Sequence, residues 1–251
     1  MKTTGNTIFM TGGTSGIGLE LARRFRDLGN TVIISGRRQE LLDSIALEDG
    51  IEGIYLDVAD PASITAAFEK VTAAHDVNVL VTMAGIMQIE DLRDPGHLPT
   101  AEQTIDINLL GTIRAIATFT PYLLNQRDAA ILTVSSGLAS VPLTITPTYS
   151  ATKAAIHSYT QSLRIQLADT GIQVIEVVPP AVQTTLMNQE NDDHAMPLDD
   201  YINETMALLQ QNPDADEILV NRVHFLRHAE RENRYEAVVA ALNPTHRVQK
   251  D

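Results

Sequence analysis

Short apolar runs rich in β-branched residues alternate along the chain with stretches of helical periodicity. Strands that read as almost continuous apolar runs between helices are typical of a parallel sheet covered on both faces. No internal repeat or linker interrupts the pattern. We therefore predict an α/β fold, a single domain over 1–251 with one doubly wound parallel sheet and helices on both faces. The six runs are TIFMT (7–11), TVIIS (31–35), GIYLD (53–57), NVLVT (78–82), AAILTV (129–134) and QVIEVV (173–178).

Punctuating residues mark the ends of the shorter helices. The first helix is predicted over 16–28, and Gly29 supplies a C-terminal stop because glycine adopts the left-handed conformation without strain. Asp60 followed by Pro61 predicts an N-cap and a proline at the first helical position of another helix.

Two longer helices and an irregular segment complete the prediction. The stretch 101–124 is predicted to form one extended helix, and a second long helix is predicted to start near Tyr149. After Val178 the alternation stops: 186–200 is polar, and helical patterning then resumes. A segment that follows the last regular strand lies at the carboxyl edge of the sheet, where such folds bind ligands. We expect 186–230 to be a substrate-covering lid and helical C-terminal segment within the one domain.

Composition limits the classes of partner and chemistry. The chain has 18 basic and 32 acidic residues and a net charge of −14, which argues against nucleic acid and against an anionic membrane surface as partners. Cysteine is absent, so disulfides and thiolate chemistry are excluded. The N-terminus lacks an apolar run of signal-peptide length, and the expected location is the cytoplasm.

An acidic cluster in the polar segment raises the question of a metal. It holds Glu190, Asp192, Asp193 and His194. Their spacing matches no recognised ligand set, and metal sites need a matched number and geometry of ligands. We interpret the cluster as a solvated loop, predict no metal, and assign His194 no role.

A glycine-rich turn, TGGTSGIG, follows the first strand and opens the first helix. Glycines in this position allow a tight turn and let the backbone approach a pyrophosphate, which then lies at the helix N-terminus. The strand–turn–helix context supports a dinucleotide site in a Rossmann-type domain. The residues predicted to bind the cofactor here are Gly12, Thr14, Ser15, Gly16, Ile17 and Gly18.

The end of the second strand predicts which nicotinamide cofactor binds. An NAD-binding unit places an acidic residue there for the ribose hydroxyl, but this chain has Gly36 followed by Arg37 and Arg38. A guanidinium pairs with the 2′-phosphate that an acid would repel. We therefore predict NADP(H) rather than NAD(H).

Tyr149 and Lys153 stand four residues apart at the start of the second long helix, so both side chains project from one face. Holding a phenolate at pH 7 requires a pKa shift of about 3 units, and a nearby ammonium can supply a large part of it. Taken alone, the pair is equally compatible with a solvated helix face.

Together these motifs resemble the short-chain dehydrogenase/reductase family. The matching features are the T-G-x-x-x-G-x-G turn, Tyr149 and Lys153, a serine 13 positions before the tyrosine (Ser136), and Asn108 in the first long helix. The resemblance implies that Tyr149 is the general acid or base and that Lys153 lowers its pKa and binds the nicotinamide ribose. It further implies that Ser136 holds the substrate oxygen and that Asn108 belongs to a proton relay.

The resemblance also implies further cofactor contacts. Asp57 and Val58 would bind the adenine, Ala84 and Gly85 would pass its ribose, and the nicotinamide carboxamide would be framed by Pro179, Val182 and Thr184.

Two departures from the family pattern stand out. Thr82 and Met83 replace the usual asparagines, which puts sheet-stabilising hydrogen bonds in doubt, and Pro180 replaces a glycine, which should stiffen the loop. The double proline and the tail at 222–243 are similar to the poorly characterised oxidoreductase group named after the lipoteichoic-acid alanylation operon. That nearer resemblance implies no substrate.

The function expected from these features is NADP(H)-dependent interconversion of a carbonyl and a secondary alcohol on a small molecule. One alternative is a 3-oxoacyl-carrier-protein reductase, which is disfavoured by the net charge and by the loop ADTGIQ, which has no Arg or Lys to dock an acidic carrier. Another is a non-catalytic NADP(H)-sensing regulator, disfavoured because all four catalytic positions are kept. The resemblance implies a homodimer or homotetramer formed through 101–124 and 149–168. Side chains that form either an apolar substrate pocket or ordinary core are Met87, Leu138, Val141, Leu143, Ile145, Leu186 and Met187.

Overall fold

The computed structural model describes residues 1–244, so the last seven positions of the predicted domain lie outside the described part. Seven parallel strands form one sheet: β1 (Thr7–Thr11), β2 (Thr31–Gly36), β3 (Glu52–Tyr55), β4 (Val79–Thr82), β5 (Ala130–Val134), β6 (Gln173–Val177) and β7 (Glu217–Ile218). Their order is β3-β2-β1-β4-β5-β6-β7. The strand order reverses between β1 and β4, which is the switch point where doubly wound sheets bind ligands.

This topology confirms the predicted fold class and all six predicted strands. The sequence pattern missed β7 because this strand has only two residues and pairs only with β6, so it leaves no apolar run to recognise.

Helices cover both faces of the sheet. They are α1 (Gly16–Asp27), α2 (Gln39–Asp49), α3 (Pro61–Ala74), α4 (Leu98–Thr104), α5 (Gly111–Leu123), α6 (Pro147–Gln166), α7 (Leu198–Gln211), α8 (His224–Arg227) and α9 (Tyr235–Leu242). The predicted ends hold: Gly29 follows α1 with φ +83°, and the Asp60 carboxylate caps α3 by accepting from the Ala62 amide. The second long helix begins at Pro147, two residues before Tyr149.

The first long helix differs from the prediction. Helical backbone runs from Leu98 to Leu123, but a π-helical stretch, Ile105–Leu110, separates α4 from α5. A π turn contains about one residue more than an α turn, and such turns are frequent at functional sites. Asn108 lies inside this stretch and is buried.

Two apolar cores lie on opposite faces of the sheet. One packs α1, α2 and α7 against the sheet and includes Phe25 and Tyr201, both about 1% exposed. The other packs α3 and α5 against it, with Phe9 stacked on Phe119 at a ring-centre distance of 5.1 Å. Burial on both faces explains why the strands read as continuous apolar runs.

The segment after β6 crosses the carboxyl edge of the sheet before α7 begins. It contains a short turn at Leu186–Asn188, where Met187 and Asn188 adopt positive φ angles of 59° and 54°. A bridge between Val182 and Met196 closes the segment back on itself. No helix among residues 1–244 is long and apolar enough to cross a membrane.

Candidate active site

A cavity of about 690 Å³ opens at the carboxyl ends of the strands, around the switch point. Every residue predicted to bind the cofactor lines this cavity, together with Ser136, Tyr149 and Lys153. Asn108 is absent from its lining. The family motifs, which are scattered over most of the chain, therefore meet in one site.

Close backbone packing explains the glycine spacing of the turn after β1. Gly12 has φ +74°, and a Cβ there would lie 2.6 Å from the Ala84 Cα. A Cβ at Gly18 would lie 2.4 Å from the Gly12 carbonyl oxygen. Any larger residue at either position would displace backbone, so both glycines are needed to bring α1 and the loop after β4 together.

The loop after β4 is held without the family's asparagines. The Thr11 hydroxyl accepts from the Met83 and Ala84 amides at 3.1 and 3.2 Å, and the Thr82 hydroxyl donates to the Leu132 carbonyl at 3.4 Å. These bonds preserve the backbone path past Ala84 and Gly85, as expected.

The end of β2 presents two free cations to the cavity. Arg37 and Arg38 are exposed, line the cavity, and form no ion pair with another residue in the part of the chain that the structure describes. A Cβ at Gly36 would lie 2.7 Å from the Thr14 Cγ2, so an acid at this position is sterically disfavoured as well.

The adenine end is defined by the turn after β3. Asp57 is half-buried, and its Oδ1 accepts from the Ala59 amide at 3.0 Å. Val58 is buried against Gly111, where an added Cβ would lie 2.8 Å from the Val58 Cγ2. The turn therefore offers one polar and one apolar side chain to a planar ring.

Helix α6 carries Tyr149 and Lys153 into the cavity, and both are almost fully buried. The Lys153 Nζ donates to the Val134 carbonyl at 2.8 Å and lies 5.5 Å from the centre of the Tyr149 ring. The ammonium is thus fixed to the end of β5, under the phenol.

The electrostatic effect of this pair differs from the sequence expectation. Burial raises the pKa of Tyr149 to about 12, against the opposing hydrogen bond from Ser136. Burial lowers the pKa of Lys153 to about 8, against the opposing charge of Glu176. The net shift of the tyrosine pKa is thus opposite to the expected lowering, because the loss of solvent outweighs the Ser136 hydrogen bond at Tyr149, as it outweighs the Glu176 charge at Lys153. The role of Lys153 in lowering the tyrosine pKa stays a prediction.

The second predicted catalytic residue, Ser136, caps the turn Gly137–Ala139 beyond β5. Its Oγ accepts from the Leu138 amide at 3.1 Å, and the Gly137 amide donates to the Pro179 carbonyl at 2.9 Å. These bonds lock the serine beside the loop predicted to frame the nicotinamide.

Asn108 forms hydrogen bonds with the backbone next to the cavity. Its side-chain amide donates to the Ile86 carbonyl at 2.9 Å and accepts from the Ile86 backbone amide at 2.8 Å. The Asn108 carbonyl accepts from the Thr112 hydroxyl at 2.8 Å. Asn108 therefore anchors the loop after β4, and its predicted relay role stays a prediction.

The predicted nicotinamide frame, Pro179, Val182 and Thr184, lies between β6 and the crossing segment. A Cβ at Gly16 would lie 3.2 Å from the Thr184 Cγ2, so this frame touches the glycine turn. Pro180 also lines the cavity.

Four of the seven residues considered for an apolar pocket line the cavity. Met87, Leu138, Leu143 and Leu186 line it. Ile145 and Met187 lie outside the lining. Val141 is also outside, because it is fully buried in a small core with Ala229 and Val238.

Several site residues were missed by sequence reasoning. Leu226 and Leu242, from α8 and α9, close the apolar end, and Gln189, Asp192 and His194 lie on its rim. Glu90 accepts from both the amide and the hydroxyl of Thr148 and so holds the start of α6. Of these residues, only Leu226 and Leu242 could have been found from the sequence, because they occupy apolar positions of the C-terminal helices.

Comparison with known proteins shows the family of this chain. The family model described as short chain dehydrogenase matches residues 6–195. An uncharacterized oxidoreductase of Bacillus subtilis, DltE, is 38% identical over 251 residues, covering 97% of this chain and 98% of that protein. This match confirms the predicted nearer resemblance.

Two solved structures show the breadth of the similarity. A short chain dehydrogenase of Burkholderia cenocepacia in complex with NADP has a TM-score of 0.83 at 23% identity, covering 96% of this chain and 99% of that one. A 3-ketoacyl-(acyl-carrier-protein) reductase of Brucella melitensis complexed with NADH has a TM-score of 0.75 at 25% identity, covering 85% and 93%.

Proposed function

The chain belongs to the short-chain dehydrogenase family of oxidoreductases, and we propose that it is an NADP(H)-dependent enzyme that interconverts a carbonyl and a secondary alcohol on a small apolar molecule. One observation carries this proposal: Ser136, Tyr149 and Lys153 line the same cavity as the glycine turn. A dinucleotide that lies on the turn would reach these three side chains.

The cavity fits such a cofactor, because the glycine turn that precedes α1 lines it, and the backbone amides at a helix N-terminus can bind a pyrophosphate. The nicotinamide, when bound, supplies or accepts the hydride. Ser136 would donate a hydrogen bond to the substrate oxygen, and Tyr149 would hold or give up the proton at its phenol oxygen. Lys153 would stabilise negative charge that develops on that oxygen.

Burial raises the pKa of Tyr149 to about 12. The phenolate is formed when the tyrosine donates its proton in reduction and is required when it accepts one in oxidation, so burial disfavours it in both directions. The Lys153 ammonium, 5.5 Å from the centre of the ring, would offset part of that cost.

Preference for NADP(H) rests on Arg37 and Arg38. The decisive measurement is fluorescence titration of the purified protein with NADPH and with NADH. A charge-assisted hydrogen bond contributes about 1.5–3 kcal/mol, so replacing both arginines with alanine should weaken NADPH binding by about 10- to 100-fold. Binding of NADH should hardly change.

Arg127→Ala is the matched control, since Arg127 is also exposed but lies just before β5, at the opposite edge of the sheet. Equal affinity of the native protein for NADH and NADPH would refute the assignment. Binding of neither cofactor would refute both the enzyme and the NADP(H)-sensing regulator, whereas NADPH binding without turnover would favour the regulator.

The substrate proposal rests on the apolar end of the cavity. Leu138, Leu143 and Leu226 face the space beyond the catalytic group, which suits an apolar ketone. The carrier-protein reductase remains the alternative, favoured by the similarity to the Brucella reductase. A chain of charge −14 is poorly suited to docking an acidic carrier. Free apolar ketones, compared with the same acyl group on a carrier, would separate the two.

We further propose that the protein is cytoplasmic and forms a homodimer or homotetramer. Its long helical segments carry apolar side chains that are unusually exposed, with Ile105 at 40%, Leu110 at 38% and Ile165 at 77%. Burying them against another copy would remove apolar surface from water.

A further inference from the structure

A carboxylate is buried beneath the helix that carries the catalytic tyrosine and lysine. Glu176 on β6 is only 1% exposed. Its carboxylate accepts from the Ser135 hydroxyl and contacts the His157 Nδ1 at 2.8 and 3.0 Å. A buried acid is costly unless it is paired, so its place needs a reason beyond packing.

The register of the sheet shows that this acid belongs to a polar strip. Thr133, Glu176 and Glu217 are paired across β5, β6 and β7, so their side chains point to the same face. Helix α6 covers this face with Lys153 and His157, which are one turn apart. The strip therefore reaches from the catalytic lysine to the edge of the sheet.

The outer end of the strip is closed by α8. The Arg227 Nη2 donates to the Glu217 Oε1 at 2.6 Å and lies 3.3 Å from the His157 Nε2. The titratable and charged groups around Lys153 are thus Tyr149 on its own helix and His157, Glu176, Glu217 and Arg227 in the strip. The carboxylates of Glu176 and Glu217 balance the cations of Lys153 and Arg227.

A metal centre is the competing interpretation. His157, Glu176 and Glu217 offer ligand atoms within 4.8 Å of one another. However, Arg227 already pairs with the Glu217 carboxylate, and Ser135 donates to that of Glu176. A guanidinium beside the candidate ligands would repel a metal cation, so the cluster is better explained as a charge-balanced network.

The inner end of the strip reaches the active site by two routes. Ser135 lines the cavity and directly precedes Ser136, so its hydrogen bond to Glu176 fixes the end of β5. Lys153 donates a hydrogen bond to the Val134 carbonyl at the same strand end, and the negative charge of Glu176 raises the pKa of Lys153.

We propose that Glu176 is a positioning residue for Lys153: its carboxylate, held by His157, supplies a negative charge on the sheet face that Lys153 covers and, by binding Ser135, holds the strand end whose Val134 carbonyl binds the ammonium. The role of Lys153 in the reaction rests on the proposed function. The effect of Glu176 on the charge of Lys153 does not depend on that function. In native protein, burial lowers the Lys153 pKa to about 8 and Glu176 opposes that fall. Removing the carboxylate should therefore lower the pKa further and leave part of the lysine neutral at pH 7.

The charge of Lys153 can be measured directly, because the chain has only four lysines. Protein labelled with ¹³C at the lysine Cε gives few NMR signals, and Lys153→Arg identifies the one of interest by its loss. We expect the signal to titrate near pH 8 in the native protein and at least about one pH unit lower in Glu176→Gln. Glu217→Gln is the matched control and should shift it much less.

The NMR titration also distinguishes a folded variant with a lowered Lys153 pKa from an unfolded one. An unfolded variant would titrate near the ordinary lysine value of about 10.4, in the opposite direction. Glu176→Asp restores the charge and should bring the midpoint back toward the native one. An unchanged midpoint in Glu176→Gln, or an equal shift in Glu217→Gln, would overturn the proposal.

The reaction gives a second readout. Once an apolar ketone is found that the enzyme reduces with NADPH, the reduction rate can be measured as a function of pH. In Glu176→Gln, the pH at which the rate falls off on the alkaline side should decrease together with the NMR midpoint. Absence of any turnover in the native enzyme would count against the proposed function alone, since the NMR titration needs no reaction.

Discussion

Strands β5 and β6 bury two different faces to a similar depth. Toward α7 they present Leu132, Val134, Ile175 and Val177, all at most 5% exposed. Toward α6 the same strands present Thr133, Ser135 and Glu176, at most 1% exposed. The exposed fraction of a side chain therefore does not tell residues of the apolar core from residues next to the candidate site in this molecule.

The two faces differ in what burial costs. Apolar side chains gain about 25 cal/mol for each Å² removed from water. Buried hydroxyls and carboxylates gain little, and each must find a partner or lose about 1–3 kcal/mol. The first face stabilises the fold, whereas the second is maintained by hydrogen bonds that position α6. Substitutions of matched type on the two faces should therefore give different phenotypes.

The largest expected difference concerns the buried tyrosines. Tyr149→Phe should reduce NADPH-dependent carbonyl reduction by about 10²- to 10⁴-fold, because the phenol proton is lost from the site. Binding of NADPH should persist. Steady-state rates and fluorescence titration of the same preparation measure both.

Tyr201→Phe is the counterpart on the other face, where Tyr201 is 1% exposed in the apolar core. It should leave turnover nearly unchanged. Full activity in Tyr149→Phe would mean that another group supplies the proton.

A stability difference of intermediate size is expected within β5. Leu132→Ala should lower the free energy of unfolding by about 2–5 kcal/mol, since it removes buried apolar volume and leaves a cavity. Urea denaturation followed by circular dichroism measures the change. NADPH affinity of the folded variant should remain near native.

The adjacent residue provides the comparison. The Thr133 hydroxyl pairs with the Thr160 hydroxyl at 2.8 Å, with both residues fully buried. Thr133→Val should cost only about 1–2 kcal/mol, and adding Thr160→Val should restore part of it because both polar partners are then gone. A cost for Thr133→Val equal to that for Leu132→Ala would contradict the distinction between the faces.

The sequence predicted the parts of the site that depend on short spacings. The glycine turn and the pair Tyr149 and Lys153 are each contained in fewer than about ten residues, and their geometry follows from one turn or one helix face. The parallel sheet and its six longer strands followed from the alternation of apolar runs with helices. The family resemblance then extended the assignment to Ser136 and to the adenine end.

What the sequence could not give depends on contacts between distant elements. Glu176 meets His157 through the packing of α6 on β6, and no local pattern marks that pairing. The raised tyrosine pKa was not foreseen, because the expectation counted the nearby charge of Lys153 but not the loss of solvent around the phenol. The π stretch around Asn108 was missed because no residue type in the sequence marks where one turn of a helix widens.

The smallest expected effect tests a polar contact on the α6 face that is removed from the reacting groups. Glu90 is 7% exposed, and its carboxylate accepts from the Thr148 amide at 3.0 Å and hydroxyl at 2.8 Å. A negative charge at a helix N-terminus contributes about 0.3–1 kcal/mol. Glu90→Gln should therefore lower the free energy of unfolding by about 1 kcal/mol in urea titration, whereas the exposed Glu48→Gln should change it by less than about 0.5 kcal/mol. Because Thr148 precedes Tyr149, a fall in turnover of only a few fold should accompany the loss. A rate loss as large as that of Tyr149→Phe would place Glu90 among the residues that the reaction itself requires.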